Sequence, residues 1–261
     1  MSVLRQAIVD KRPLVHHLTN YVTAGFCADM ALAIGASPVM ADELQEMGEM
    51  TGKADALVLN IGTINAGKFA AMERAAQVAR KRRIPVVLDP VGVMATEYRL
   101  NCALKLLAEG VTILRGNLSE CSALASAKAE GKGVDAVEET ELKATELAPL
   151  LAQQFSCVVA ITGAKDVISD GAVTWEAKNG DAMLSSITGT GCMTTTLTGA
   201  AAGATDNYLA AAIFGLTAMN IAGERAAQRA HGPGSFRSIL LDEIHALTGE
   251  DLENNFQGAR I

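Results

Sequence analysis

The sequence predicts an α/β fold: a mainly parallel central sheet, helices on both faces and a short antiparallel meander at one sheet edge. Three observations carry this. Apolar runs of strand length, without polar alternation, recur at 56–61, 85–90, 111–115 and 157–161, as expected of strands buried on both faces. Stretches of helical periodicity lie between them, and that alternation builds parallel crossovers. After residue 161 the pattern changes to short runs separated by Asp170-Gly171 and Asn179-Gly180, pairs that suit hairpin turns.

Taken in order, residues 14–18 and 37–40 read as short strands around a helical stretch at 23–34. The run ALVLNI (56–61) ends in Gly62 and is followed by a helix over 66–83. PVVLDP (85–90) is the next strand, 98–109 a helix, 111–115 a strand and 118–127 a helix. The polar, glycine-containing stretch 128–139 reads as a surface loop, 141–155 as a helix and 157–161 as the fourth buried strand. Runs at 167–169, 172–175 and 182–184 form the expected meander. From Thr190 the chain reads as helices over 191–204, 207–231 and 234–248, and the polar tail 249–261 as loosely held. No linker divides the chain, so one domain over 1–261 is expected.

The composition suits a large core: 49% of the 261 residues are hydrophobic, 20% are charged and only 4% are aromatic. The formal net charge is -7, and the one basic cluster, Arg80 to Arg83, falls at the end of a helical stretch. There it suits the helix dipole better than a nucleic-acid patch. Five widely spaced cysteines (Cys27, Cys102, Cys121, Cys157, Cys192) with no CxxC pair argue against a zinc site or disulfide framework and fit a reducing cytoplasm. The first residues carry Asp10 and Lys11 and do not read as a signal peptide. The most apolar region, 197–222, is split by Asp206 and Asn207. It reads as a buried helical pair, lacking the ~18 uninterrupted apolar residues of a membrane span.

In open α/β sheets, ligands bind outside the carboxyl ends of the strands. Here those ends read Gly62-Thr63, Asp89-Pro90, Arg115-Gly116-Asn117 and Thr162-Gly163. Core packing does not require polar or glycine steps there, so this edge is the expected site. Gly189-Thr190-Gly191 precedes a helix expected to begin near Cys192. Its glycines allow close approach, and a helix start offers unpaired N–H donors to an anion. Cys192 at such a start is expected to have a lowered thiol pKa, although a small buried residue is an equal reading. Asp89 and Glu120 on neighbouring strand ends could hold magnesium through waters. Asn117 could equally cap the following helix, with Glu120 at its third position. A Cys–His hydrolase would need one of His16, His17, His231 or His245 beside Cys192, and spacing names none.

The segments VHHLTNYVT (15–23), LAIGASPVMA (32–41), LVLNIGT (57–63), PVVLDPVG (85–92), ILRGNLSE (113–120), AITG (160–163) and ITGTGCM (187–193) closely resemble the hydroxyethylthiazole kinase family. The match runs in order from about residue 13 to residue 225, and His17 and Gly25-Phe26-Cys27 are less typical of it. The resemblance implies a ribokinase-like three-layer sandwich and ATP-dependent phosphorylation of 4-methyl-5-(2-hydroxyethyl)thiazole in thiamine salvage. By matching position it implies that Arg115 and Thr162, with Asn117 beside them, contact ATP. Met40, Gly189 and Asn20 would contact the thiazole, Asp89 and Glu120 would serve Mg2+, and Gly189, Thr190, Gly191 and Cys192 would form the anion hole. Cys192 stands where related sugar kinases carry a catalytic Asp. A homotrimer with sites between subunits is also implied. Within the same fold an ATP-dependent repair dehydratase is the alternative; outside enzymology, a thiazole sensor that has lost catalysis.

Overall fold

The computed structural model describes residues 1–130 and 142–261. Among the described residues nine strands form one sheet: β1 (Leu14–Leu18), β2 (Ser37–Val39), β3 (Ala56–Asn60), β4 (Val86–Asp89), β5 (Ile113–Asn117), β6 (Val158–Thr162), β7 (Asp166–Ser169), β8 (Thr174–Ala177) and β9 (Gly258–Arg260). Their order is β2-β1-β3-β4-β5-β6-β7-β8-β9. Pairings from β2 to β6 are parallel, and those from β6 to β9 antiparallel. The expected mixed sheet is present, with its antiparallel part at one edge.

Helices cover both faces. In chain order they are α1 (Ser2–Lys11), α2 (Ala24–Ile34), α3 (Met47–Lys53), α4 (Ala66–Arg82), α5 (Glu97–Ala108), α6 (Leu118–Glu130), α7 (Ala144–Phe155), α8 (Thr190–Ala202), α9 (Tyr208–Arg229), α10 (Pro233–Ala246) and α11 (Gly249–Asn255). Two hydrophobic cores result. One joins α1, α2 and α8 to α11 to the sheet; the other joins α3 to α7 to its opposite face. The most apolar stretch of the chain is the tightly packed pair α8 and α9, as expected. A Cβ built on Gly215 would lie 2.2 Å from Thr198 Oγ1.

Strand periodicity decides what reaches the site. Side chains alternate faces along a strand. Val58, Val87, Ile113 and Ala160 belong to the α8 side, whereas Leu57, Leu88, Leu114 and Val159 belong to the other. Two residues after each member of the first set come Asn60, Asp89, Arg115 and Thr162. Each therefore projects from a strand end toward α8.

Several sequence expectations are corrected. The run 182–184 is not a strand: Asp181 Oδ1 accepts from Met183 N at 2.8 Å, and the chain turns into a 3-10 helix over Ala182–Ser186. Asn179-Gly180 does not turn a hairpin. The Asn179 side chain bonds Glu224, Asn255 O and Gln257 N, and Gly180 N donates to Glu224 at 2.8 Å. The third meander strand is instead β9, from the tail expected to be loose. Reciprocal Thr248 and Asp251 caps start α11, β9 pairs with β8, and the Phe256 ring lies 6.0 Å from that of Trp175. The Asp170-Gly171 hairpin is formed as expected: Asp170 Oδ1 accepts from Ala172 N and Val173 N, and Gly171 has φ +90°. Helices α1 and α3 add to the elements read from sequence. From residue 131 onward the loop expected over 128–139 lies outside the described residues, as does Glu141; α6 occupies the loop's first positions. Among the described residues no helix is long and apolar enough to cross a membrane.

Trp175 is the only tryptophan of the chain, so it reports on the tail. Phe256→Ala is expected to lower stability by about 1–2 kcal/mol, below the value for full burial because the ring is half-exposed. In urea titrations followed by Trp175 emission, the native spectrum should shift to the red. An unchanged spectrum and midpoint would mean that the tail does not cover β8.

Candidate active site

At the carboxyl edge of the sheet, helix α8 starts with no side chain capping it. Its N-cap is Gly189 at φ +91°, and the first bond of the helix runs from Met193 N to Gly189 O at 2.8 Å. The N–H groups of Gly189, Thr190, Gly191 and Cys192 thus have no intrahelical acceptor. The helix begins at Thr190, one residue before the expected range of 191–204. Glycine suits two positions here. The left-handed φ at 189 suits it, and an added Cβ would lie 2.6 Å from Thr23 Cγ2; at 191 a Cβ would lie 2.6 Å from Arg115 Nη1.

Arg115 leaves β5 beneath this turn. Its Nη2 donates to Thr162 Oγ1 at 2.7 Å, and its Nη1 lies 3.9 Å from Asp89 Oδ1. Asp89 is fully buried. Its Oδ2 accepts from Asn60 Nδ2 and from Thr195 Oγ1, each at 2.9 Å. Both Asp89 Oδ1 and Arg115 Nε are buried without a hydrogen-bond partner. A buried donor and acceptor left open in one cleft are what an anion–cation pair would satisfy. Burial pushes the Asp89 carboxyl up to about 6 against the pull of Arg115, and the Glu120 carboxylate adds to the rise.

Glu120 completes the acidic side. Its Oε1 accepts from Gly92 N at 3.0 Å and its Oε2 from Asn117 N at 2.9 Å, while Asn117 Oδ1 accepts from Glu120 N at 2.9 Å. Asn117 therefore does cap α6, and it lines the site as well. The Cys192 sulfur accepts from Asn20 Nδ2 at 3.3 Å and Asn60 Nδ2 at 3.2 Å. The expected lowering of its pKa is overturned: burial raises it and the Asp89 charge adds to this, against the smaller opposing pull of hydrogen bonds with Thr23, Asn20 and Asn60. No histidine supplies the partner a hydrolase would need. His17 bonds Val15 O and Thr196 Oγ1, and burial holds it down to about 4; His16 bonds Thr51 and Ala41 O; His231 and His245 are exposed.

Two cavities meet at this turn. One, of ≈ 570 Å³, runs from Thr162 and Gly163 past Asp166, Asn179 and Leu184 to Asn220. The other, of ≈ 390 Å³, is lined by Asn20, Asp89, Asn117, Glu120, Gly189 and Cys192, among others. Arg115 and Gly191 line both. Of the residues expected from sequence, Met40 lies in neither cavity: it is half-exposed, one residue past edge strand β2. Sequence reading missed Asn60 and Thr195, which hold Asp89, and Asn220, whose Nδ2 donates to Asp166 Oδ2 at 2.7 Å. The position of Asn60 at the end of a buried strand was the available signal. The Thr195 and Asn220 contacts depend on how helices dock.

Comparison with known proteins gives one answer. The model of the hydroxyethylthiazole kinase family matches residues 5–250. The hydroxyethylthiazole kinase of Clostridium tetani is 45% identical over 245 residues, 91% of this chain and 89% of that one. A solved hydroxyethylthiazole kinase from Pyrococcus horikoshii OT3 superposes with a TM-score of 0.90 at 37% identity, covering 100% of both chains. A ribokinase-like superfamily protein from Enterococcus faecalis V583 superposes with a TM-score of 0.64 at 12% identity, over 94% of this chain and 89% of that one. The last likeness shows the fold, which is ribokinase-like.

The buried Asp89 predicts a pH signature in metal-free protein. A carboxyl with a folded pKa of about 6, above the ordinary 3.8, binds its proton more tightly when folded. Its stabilising contribution is full below the ordinary value and is lost as pH rises through about 6. Asp89→Asn should therefore exceed the wild type in stability by on the order of 2 kcal/mol at about pH 7.5, and the margin should close by about pH 4. Urea unfolding of both proteins across this range measures it; a margin independent of pH would contradict the burial argument.

Proposed function

The chain belongs to the hydroxyethylthiazole kinase family, and from that premise we infer that it transfers the γ-phosphoryl group of ATP to the hydroxyl of 4-methyl-5-(2-hydroxyethyl)thiazole. The products are the phosphate ester and ADP, a step of thiamine biosynthesis and salvage. The observation that carries the reading within the site is the meeting of two cavities at Arg115 and Gly191. Transfer between two bound molecules needs one place where both ends converge. The larger cavity would take the nucleotide, with Thr162 and Arg115 toward its phosphates. The smaller, with Asn20, Gly189 and Cys192, would take the alcohol, and Asn117 borders it.

Phosphoryl transfer passes through a loose transition state, so positioning and charge neutralisation supply most of the rate. The open amides from Gly189 to Cys192 and the Arg115 guanidinium are the donors available for that charge. Asp89 and Glu120 would hold Mg2+, which supplies neutralisation of the nucleotide phosphates. The unpartnered Asp89 Oδ1 supports this, and no all-protein cage of three or more ligating side chains occurs among the described residues. Two carboxylates plus substrate oxygens suit magnesium better than a closed cage. A thiol whose pKa is raised stays protonated near neutral pH, so Cys192 serves by orienting the hydroxyl rather than as a thiolate base.

Assembly and setting belong to the same reading. A homotrimer with sites between subunits would bring the half-exposed Met40 of one subunit to the thiazole of another. Five free, buried thiols accord with a cytoplasmic setting, and one kinase domain spans 1–261.

A coupled assay with the thiazole alcohol and ATP should show alcohol-dependent ADP release, and its absence would sink the activity. Cys192→Ser should retain kcat within about tenfold, with no new slope between about pH 6 and 9. Loss of a basic limb present in the wild type would instead identify the thiolate as the base.

A further inference from the structure

We propose that Asn60 is a positioning residue for phosphoryl transfer: its buried amide locks the Cys192 thiol and the Asp89 carboxylate to one another. This rests on the reading that those two groups face the alcohol and the nucleotide phosphates.

Asn60 ends β3, is 1% exposed and lines neither cavity, so it does not touch substrate. It nevertheless uses both donors and both acceptor sites of its amide. Oδ1 accepts from Gly62 N at 2.9 Å and from Asn20 Nδ2 at 3.0 Å. Nδ2 donates to Asp89 Oδ2 at 2.9 Å and to Cys192 Sγ at 3.2 Å. The orientation is dictated by chemistry. The Gly62 N–H can only donate, so the Asn60 oxygen must face it and the NH2 must face the carboxylate and the sulfur. Asn20 is oriented the same way, because Thr23 N donates to its Oδ1 at 3.0 Å; its NH2 is left for Asn60 and Cys192.

Two consequences follow for the reacting groups. The sulfur accepts two amide N–H groups and shares a further hydrogen bond with the Thr23 side chain, which fixes it in the wall of the smaller cavity. Asp89 Oδ2 is saturated by Asn60 and Thr195, which leaves Oδ1 for the phosphate side, toward Arg115. One side chain thus sets the separation between the group beside the acceptor hydroxyl and the group beside the donor phosphate. In-line transfer depends on that separation, since a misplacement of about 1 Å can cost on the order of a hundredfold.

Asn60→Ala should lower kcat by about 10- to 100-fold, as loss of such supporting partners does. The KM values for ATP and the thiazole alcohol should stay within about threefold, since binding contacts remain. Asn60→Asp keeps the size and the acceptor for Gly62 and Asn20 while replacing both donated N–H groups, and should lose kcat alike. In a Cys192→Ala background, the cost of Asn60→Ala should shrink by at least about threefold, the non-additivity of groups acting together. Nucleotide affinity by calorimetry should be unchanged. The proposal is overturned if kcat of both variants stays within about twofold, if the loss falls on KM alone, or if the cycle is additive. It is also overturned if both variants lose activity only through a collapsed unfolding midpoint, which would make Asn60 merely structural. If Cys192→Ala and Asp89→Asn themselves leave kcat intact, the reading of the site fails, and this role with it.

Discussion

Arg115 projects from β5 with its guanidinium against the backbone of Gly191, where an added Cβ would lie 2.6 Å from Nη1. The rest of the site is arranged around this contact. The approach brings a fixed cation beneath the open amides of α8 and sets the point at which the two cavities join. It is possible because α8 packs on the sheet through glycine. A Cβ on Gly199 would lie 2.6 Å from Val58 Cγ2 on β3 and 3.4 Å from Val15 Cγ1 on β1, so the helix backbone lies directly against the side chains of these strands. Small residues along α8 are thus the packing condition for bringing its N-terminus to the strand ends.

In an acidic chain of net charge -7, the donors gathered at this edge are backbone N–H groups and a single arginine, which need no surplus of positive charge. The cost falls on Asp89. Fully buried and only loosely paired with Arg115, it gives up stability as a carboxylate so as to offer an unpartnered oxygen to the cleft. Sites commonly carry such local strain in charge or geometry while the scaffold compensates. Here the compensation is two cores built largely from Ala, Leu, Ile and Val on both faces of the sheet.

Much of the candidate site was legible because its members end strands. Asp89, Arg115 and Thr162 announce themselves where a buried apolar run stops at a polar residue. Asn60 obeys the same rule, and its importance emerges only from the four groups it bonds. The thiol was misread for a related reason. A helix N-terminus lowers a cysteine pKa in isolation, but burial and the neighbouring Asp89 charge act the other way. Neither the depth of Cys192 nor its distance from β4 can be read from residues 187–193. Met40 illustrates the opposite limit: a motif residue that one chain leaves outside both cavities.

By itself the sequence determined the layers of the fold and the sheet edge at which the polar strand-end residues gather. Hydrophobic periodicity and strand-end chemistry are local, and a strand buried on both faces tolerates a polar residue only where it leaves the core. Tertiary structure alone decided the edge of the sheet and the wiring of the site. The tail became β9 because β8 offered unpaired backbone groups and Trp175 offered a surface for Phe256. The run 182–184 left the sheet because Asp181 capped a tighter turn. Asn60, Cys192, Thr195 and Asp89 come from positions far apart in the chain, and their bonds form only once α8 has settled over the strand ends. Such contacts follow from helix docking, which no local pattern encodes.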